Sequence, residues 1–115
     1  MSEDLLKRRC KPCEGGVEPL RADQSSALLK ALHSDWSISD DGLEISRTFE
    51  FPAYSRTLGF ANAVAWIAIA EGHHPVLTVS YGACAVVYTT HSISGLSDND
   101  FICAAKIDRL AAETT

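Results

Sequence analysis

The chain has 115 residues, 46% of them hydrophobic, which is enough for one domain with a buried core. Its formal net charge of −5 argues against nucleic acid as a partner, because proteins that bind nucleic acids carry basic surfaces. We expect neither a signal peptide nor a membrane span, since residues 1–9 mix both charges and no apolar run approaches ~20 residues. These features predict a cytoplasmic protein with reduced cysteines.

The first part of the chain has no hydrophobic periodicity and contains two glycines and two prolines within 21 residues. We interpret residues 1–21 as an extended N-terminal arm and residues 22–115 as a single folded domain. We also expect that removing residues 1–19 leaves folding and activity nearly unchanged.

Four cysteines are present. Cys10 and Cys13 form a Cys-x-x-Cys pair in the arm, whereas Cys84 and Cys103 lie in apolar segments typical of a core. A structural zinc ion usually needs four ligands and no second pair is close in sequence, so we predict no metal. A zinc site completed by a distant histidine or a second chain, and a redox-active pair, remain alternatives.

A helical and then a strand-like pattern follow the arm. Asp23 is placed to cap a helix over residues 24–33, in which apolar residues recur at helical spacing. Residues 36–39 and 43–51 alternate in polarity on either side of the turn Asp40-Asp41-Gly42. This arrangement predicts a β-hairpin with one buried face.

In the second half of the chain a helix is again followed by a hairpin. A long apolar segment predicts a helix over residues 54–71, which Gly72 ends because glycine readily adopts the left-handed conformation. Residues 77–81 and 84–88 alternate and predict a second hairpin. A last helix is predicted over residues 99–112.

The order of elements is helix, hairpin, helix, hairpin, helix. Two hairpins can join into one sheet, and amphipathic helices bury their apolar sides against a sheet face. We therefore predict an α+β fold: a four-stranded antiparallel sheet from two hairpins, with three helices packed on one face.

Three histidines and an aspartate are predicted to meet at one edge of this sheet. His73 and His74 stand between the central helix and the third strand, His91 follows the fourth strand, and Asp100 lies in the first turn of the last helix. Histidine exchanges protons near neutral pH, and a carboxylate can fix the tautomer of its ring. A metal site of three histidines and a purely structural, solvated turn remain alternatives.

The residues around these histidines carry a resemblance to a known family. The string Glu71-Gly72-His73-His74-Pro75, then Tyr81, Thr90-His91 and Gly95-Leu96-Ser97 with Asp100, resembles the pterin-4a-carbinolamine dehydratases. The similarity covers roughly residues 23–112 and leaves the arm outside. One position departs from the family: many members have an acidic residue four positions before the first histidine, where this chain has Ile69.

The resemblance implies an enzyme, a hydro-lyase that dehydrates a 4a-hydroxytetrahydropterin to the quinonoid dihydropterin in tetrahydrobiopterin recycling. It implies His73, His74 and His91 as catalytic residues, with His73 and His91 as the acid–base pair and His74 orienting the substrate. His74 would also bind the substrate, together with Pro75, Thr90 and Asp100; Asp100 would either orient a ring or hold a substrate amine. Neither a cofactor nor a metal is expected for this reaction.

The expected partner is a small-molecule pterin, with neither nucleic acid nor membrane. A sheet covered on one face leaves edges to protect, so we expect a homodimer or homotetramer formed through the last helix and an edge strand. Two further functions stay open by resemblance: a protein-binding or dimerisation module, as in mammalian relatives, and a role linked to molybdopterin cofactor metabolism.

Overall fold

The computed structural model describes residues 2–12 and 17–114. Its helices and strands are, in chain order, α1 (Ser2–Lys7), α2 (Ala22–Leu29), β1 (Ser37–Ile38), β2 (Ile45–Glu50), α3 (Tyr54–Glu71), β3 (Val76–Val79), β4 (Ala83–Tyr88) and α4 (Asp98–Thr114). A 3-10 turn, His91–Ile93, lies between β4 and α4. The predicted α+β class with one four-stranded antiparallel sheet is confirmed.

The sheet has the strand order β1-β2-β4-β3, so the two predicted hairpins join through β2 and β4 and leave β1 and β3 at the edges. The register pairs Ile45 with Tyr88 and Phe49 with Cys84 across β2 and β4. Because side chains alternate along a strand, these four residues point to one face of the sheet, and all four are buried. The neighbouring residues on the opposite face of both strands are exposed or only partly buried.

The buried face of the sheet forms one core with α3 and α4. Phe49 of β2 and Phe60 of α3 pack with their ring centroids 4.6 Å apart, and Val64 continues the contact along α3. On α4, Phe101 and Ile107 are completely buried in the same core. Helix α4 is therefore buried over much of its length, whereas the sequence predicts it as part of an exposed surface for a second subunit.

The structure describes four α-helices where the sequence predicts three. The additional helix, α1, lies in the predicted extended arm and packs against α4, with Leu5 only 2% exposed. Six residues are too few to show a helical period, so the sequence pattern does not predict α1. Helix α2 also starts before the predicted cap Asp23: the side chain of Gln24 accepts a hydrogen bond from the N–H of Arg21 at 2.8 Å.

None of the helices that the structure describes is both long enough and apolar enough to cross a membrane.

Candidate functional site

The end of α3 places His73. Gly72 adopts the left-handed conformation with φ of 67°, which terminates the helix as the sequence predicts. The N–H of His73 still donates to the carbonyl of Ala68 at 3.1 Å, so the chain turns immediately after the helix. His73 consequently lies between the C-terminus of α3 and the first turn of α4.

His73 and Asp100 form the innermost contact of the site. The Nε2 of His73 and the Oδ1 of Asp100 are 2.6 Å apart, and the carboxylate is fully buried. The other carboxylate oxygen accepts hydrogen bonds from the Thr90 hydroxyl at 2.8 Å and from the N–H of Ser97 at 2.9 Å. Both oxygens of Asp100 are thus bound within the protein, which favours an orienting role for Asp100 over direct contact with a substrate.

This contact sets the proton chemistry of His73. Burial by itself lowers the pKa of His73, but the hydrogen bond and the charge of Asp100 outweigh burial and raise that pKa above its ordinary value. Asp100 binds Nε2, which leaves Nδ1 as the ring nitrogen that can exchange a proton with another group. His73 is therefore a histidine that holds its proton more firmly than usual and has one nitrogen available.

Tyr88, a residue for which the sequence pattern indicates only a strand position, fixes the ring of His73. The two rings stack with centroids 5.3 Å apart and an angle of 12° between their planes. The hydroxyl of Tyr88 also donates to the carbonyl of His73 at 3.3 Å. The only sequence signal for this contact is that Tyr88 lies on the inward-facing side of β4, at the end nearest His91.

The three predicted histidines line one open cavity of about 420 Å³. The predicted binding residues Pro75 and Thr90 line it too, and Lys11, Pro12, Gly72, Val76, Thr89, Ser92 and Asn99 complete its wall. The predicted convergence of the histidines is confirmed as a matter of position; their catalytic roles remain predictions. His74 and His91 are exposed at the rim, and Asp100 lies beneath the wall against His73.

A short closed loop carries His91. Thr90 and Gly95 pair across it, with the N–H of Thr90 donating to the carbonyl of Gly95 at 2.9 Å. A side chain on Gly95 would collide with Pro19, whose Cβ lies 2.7 Å from the position of the missing Cβ. The hydroxyl of Ser97 lies 2.7 Å from that of Thr90. The Gly-Leu-Ser string therefore holds the His91 loop against both the arm and Asp100.

The N-terminal arm forms part of the cavity wall, which the sequence does not predict. Asn99 accepts a hydrogen bond from the N–H of Lys11 at 3.0 Å and donates to the Lys11 carbonyl at 2.6 Å. The nearly buried carboxylate of Glu71 accepts from the N–H of Cys10 at 2.9 Å and pairs with Lys106 at 2.6 Å. The arm is thus bound to the domain and lines the cavity, whereas the sequence predicts that residues 1–19 can be removed with little effect.

The structure shows the surroundings of Glu71 and of Ile69, the two motif positions before His73 that were singled out in the sequence. Glu71 binds the arm and Lys106 rather than His73. Ile69, at the position that is often acidic in the family, is 63% exposed on α3. The carboxylate that supports His73 in this chain is that of Asp100, 27 positions later in the sequence, on α4.

Within residues 2–12 and 17–114, no three histidine, cysteine, aspartate or glutamate side chains are grouped so that they could hold a metal ion. Cys13, half of the predicted Cys-x-x-Cys pair, lies outside the described residues.

Comparison with solved structures places this architecture in a known group. The crystal structure of a transcriptional coactivator/pterin dehydratase from Brucella melitensis matches with a TM-score of 0.76 and 30% identity, over 82% of this chain and 99% of that chain. A pterin dehydratase-like protein identified as a RuBisCO assembly factor in the alpha-carboxysome matches with a TM-score of 0.59 and 21% identity, over 69% of this chain and 92% of that chain. The second likeness shows the fold alone.

Sequence comparison gives the family. The family described as Pterin 4 alpha carbinolamine dehydratase matches residues 18–110. A protein of Nitrosomonas eutropha that carries the provisional name pterin-4-alpha-carbinolamine dehydratase is 56% identical over 107 residues, 93% of each chain. One of Legionella pneumophila (strain Corby), under the same provisional name, is 44% identical over 113 residues, 98% of this chain and all of that one. The chain belongs to the pterin-4-alpha-carbinolamine dehydratase family, and the predicted enzyme class, a hydro-lyase, is confirmed by this membership.

Proposed function

We propose that this protein dehydrates a 4a-hydroxytetrahydropterin to the quinonoid dihydropterin by histidine acid–base catalysis. The C4a–O bond breaks, the hydroxyl leaves as water after accepting one proton, and a ring N–H gives up one proton. The reaction therefore needs one acid and one base on the protein, and both are restored by proton exchange with water. The observation that carries this proposal is the buried His73–Asp100 pair in the wall of a cavity that also holds His74 and His91.

His73 is the proposed acid and His91 the proposed base. Asp100 raises the pKa of His73, so the ring stays protonated to a higher pH and can protonate the leaving hydroxyl. His91 lines the same cavity at the start of the 3-10 turn, where its exposed ring can accept the N–H proton. His74 and Pro75 at the rim bind and orient the pterin, with Thr90 holding Asp100 in place.

Steady-state turnover of a pterin carbinolamine tests this proposal. His73→Ala and His91→Ala should each lower kcat by ~10²-fold or more, and the double variant should lose less than the product of the two because the residues act as one unit. The fourth histidine, His33, is exposed and hydrogen bonds with the backbone of Asp35, so His33→Ala is a matched control. Activity that is abolished by a chelator and restored by zinc would instead support the metal alternative.

We also propose that the chain forms a homodimer or homotetramer through α3. Trp66 is 71% exposed, and Tyr54, Leu58 and Ile69 add to the same apolar side of this helix. Such a large exposed apolar strip marks a protein contact. Light scattering should give a mass above the monomer, and Trp66→Glu should lower it while Lys30→Glu, an exposed position on another element, leaves it unchanged.

The same strip supports the second candidate function, a binding module for another protein. The solved relative from Brucella melitensis is described as a transcriptional coactivator/pterin dehydratase. A purified protein that oligomerises or binds a partner but shows no turnover would favour this role. The setting that we propose remains the cytoplasm and tetrahydrobiopterin recycling, with molybdopterin metabolism as the alternative pathway.

A further inference from the structure

Two cysteines that lie far apart in the sequence meet beside the candidate active site. The sulfurs of Cys10 on the arm and Cys103 on α4 are 3.5 Å apart, although 93 positions separate the residues. Cys103 lies three residues after Asp100, so the two side chains share one side of α4. The contact therefore joins the arm to the helix that supports His73.

The two thiols have different surroundings. Cys103 is fully buried in the same core as Tyr88 and Phe101. Cys10 is only partly buried, and its thiol can donate to the carbonyl of Asn99 at 3.6 Å. The hydrogen bond from Cys10 lowers the pKa of Cys103, whereas the same contact raises the pKa of Cys10. A more acidic thiol thus faces a more accessible one across a short gap.

We propose that Cys10 and Cys103 are a site of reversible oxidation, at which a peroxide closes a disulfide that fixes the arm against α4 and slows turnover. Peroxide oxidises one of the two thiols to a sulfenic acid and is reduced to water or the corresponding alcohol. The other sulfur then attacks the sulfenic sulfur, forming the S–S bond and releasing the sulfenic oxygen as water. A dithiol reductant reverses the step and regenerates both thiols.

The effect on turnover follows from the geometry of the site and rests on the proposed function. A disulfide holds its sulfurs about 2 Å apart, so closing the 3.5 Å gap draws the arm and α4 toward each other. Helix α4 also carries Asp100, so a shift of this helix displaces the carboxylate that lies 2.6 Å from the Nε2 of His73. Small displacements of catalytic groups lower rates strongly, so we expect oxidation to lower kcat/KM by ~10-fold or more.

Peptide mapping of the full-length protein after peroxide treatment tests the link directly. Trypsin leaves Cys10 and Cys13 in one peptide, and an aspartate-directed protease separates Cys84 from Cys103. The Cys13→Ser variant is the best protein for this mapping, because Cys10 is then the one thiol in its arm peptide. We expect a linked Cys10–Cys103 peptide whose mass is lower by two hydrogen atoms than the sum of the reduced peptides. The midpoint of thermal unfolding should rise, because the cross-link restricts the unfolded chain. Dithiothreitol should reverse the link and the rise in the midpoint.

Cys10→Ser is the matched control, because it removes one sulfur of the pair and puts a side chain of similar size at a partly buried position. Its turnover after peroxide treatment, relative to its own reduced form, should no longer fall. Absence of the Cys10–Cys103 peptide in oxidised Cys13→Ser protein would overturn the proposal, as would a complete link that leaves turnover unchanged. If the reduced protein has no turnover at all, the proposed function fails, whereas the peptide map and the thermal shift still decide whether the thiol pair is oxidised.

Discussion

The floor and the rim of the cavity differ in how the protein holds their side chains. On the floor, Asp100 is fully buried and Thr90 nearly so, and with Ser97 they form a closed hydrogen-bond network beneath His73. On the rim, His74 and His91 are exposed. A buried, fully bonded network is costly to disturb, whereas an exposed side chain can change at little cost to folding. Changes at the floor should therefore damage folding and turnover together, and changes at the rim should affect the reaction alone.

The largest effect is expected from Asp100→Asn. The substitution removes the buried charge that raises the pKa of His73 and replaces an acceptor of three hydrogen bonds with a group that must also donate. We expect kcat to fall by ~10²-fold and the free energy of unfolding to fall by about 2–4 kcal/mol. Steady-state kinetics and urea unfolding measure the two effects. A stable variant with reduced kcat would show that the network serves the chemistry without supporting the fold.

Removal of residues 2–12 tests whether the arm supports folding, as the floor does, or affects the reaction alone, as the rim does. The deletion loses the burial of Leu5, worth about 1.5–3 kcal/mol, and opens the cavity wall at Lys11 and Pro12. We expect a less stable protein whose KM for the pterin rises by ~10-fold, because uniform binding is lost. The variant Asn99→Ala, which keeps the arm and removes the two bonds from the Asn99 side chain to Lys11, should also raise KM, but by less. Unchanged kinetics in both proteins would restore the view that the arm is dispensable.

His74→Ala probes the rim alone. The ring is exposed, and its removal breaks none of the hydrogen bonds that hold His73. We expect KM to rise by ~3–10-fold while kcat stays nearly constant, with no measurable loss in urea unfolding. A fall in kcat as large as that of His73→Ala would instead make His74 one of the proton-transfer groups.

The smallest expected effect is the pH dependence of stability that the His73–Asp100 pair contributes. The pKa of His73 is higher in the folded than in the unfolded protein, so folding favours the protonated ring. The contribution is fully present below about pH 6.5, the ordinary histidine value, and is lost as the pH rises through the raised value. Urea unfolding at several pH values should show this decline in the wild type and not in Asp100→Asn. A decline that persists in the variant would assign it to another group.

The sequence by itself determined the helices and strands whose signals are local. The long apolar run and Gly72 gave α3 its bounds as observed, because a helix period and a left-handed stop act within a few residues. The second hairpin pairs antiparallel, so the end of β4, which precedes His91, lies beside the start of β3, which follows His73. The predicted position of Asp100 in the first turn of the last helix puts it at the same edge, as observed.

Only the tertiary structure decided what surrounds those histidines. The stacking of Tyr88 on His73, the pairing of Asn99 with Lys11 and the meeting of Cys10 with Cys103 join residues that are 15, 88 and 93 positions apart. No local pattern encodes such contacts, because they depend on how the arm and α4 pack once the core has formed. For the same reason the sequence placed an apolar contact surface on α4, which packing buried, and missed the exposed strip on α3, whose all-round apolar pattern does not show which side stays uncovered.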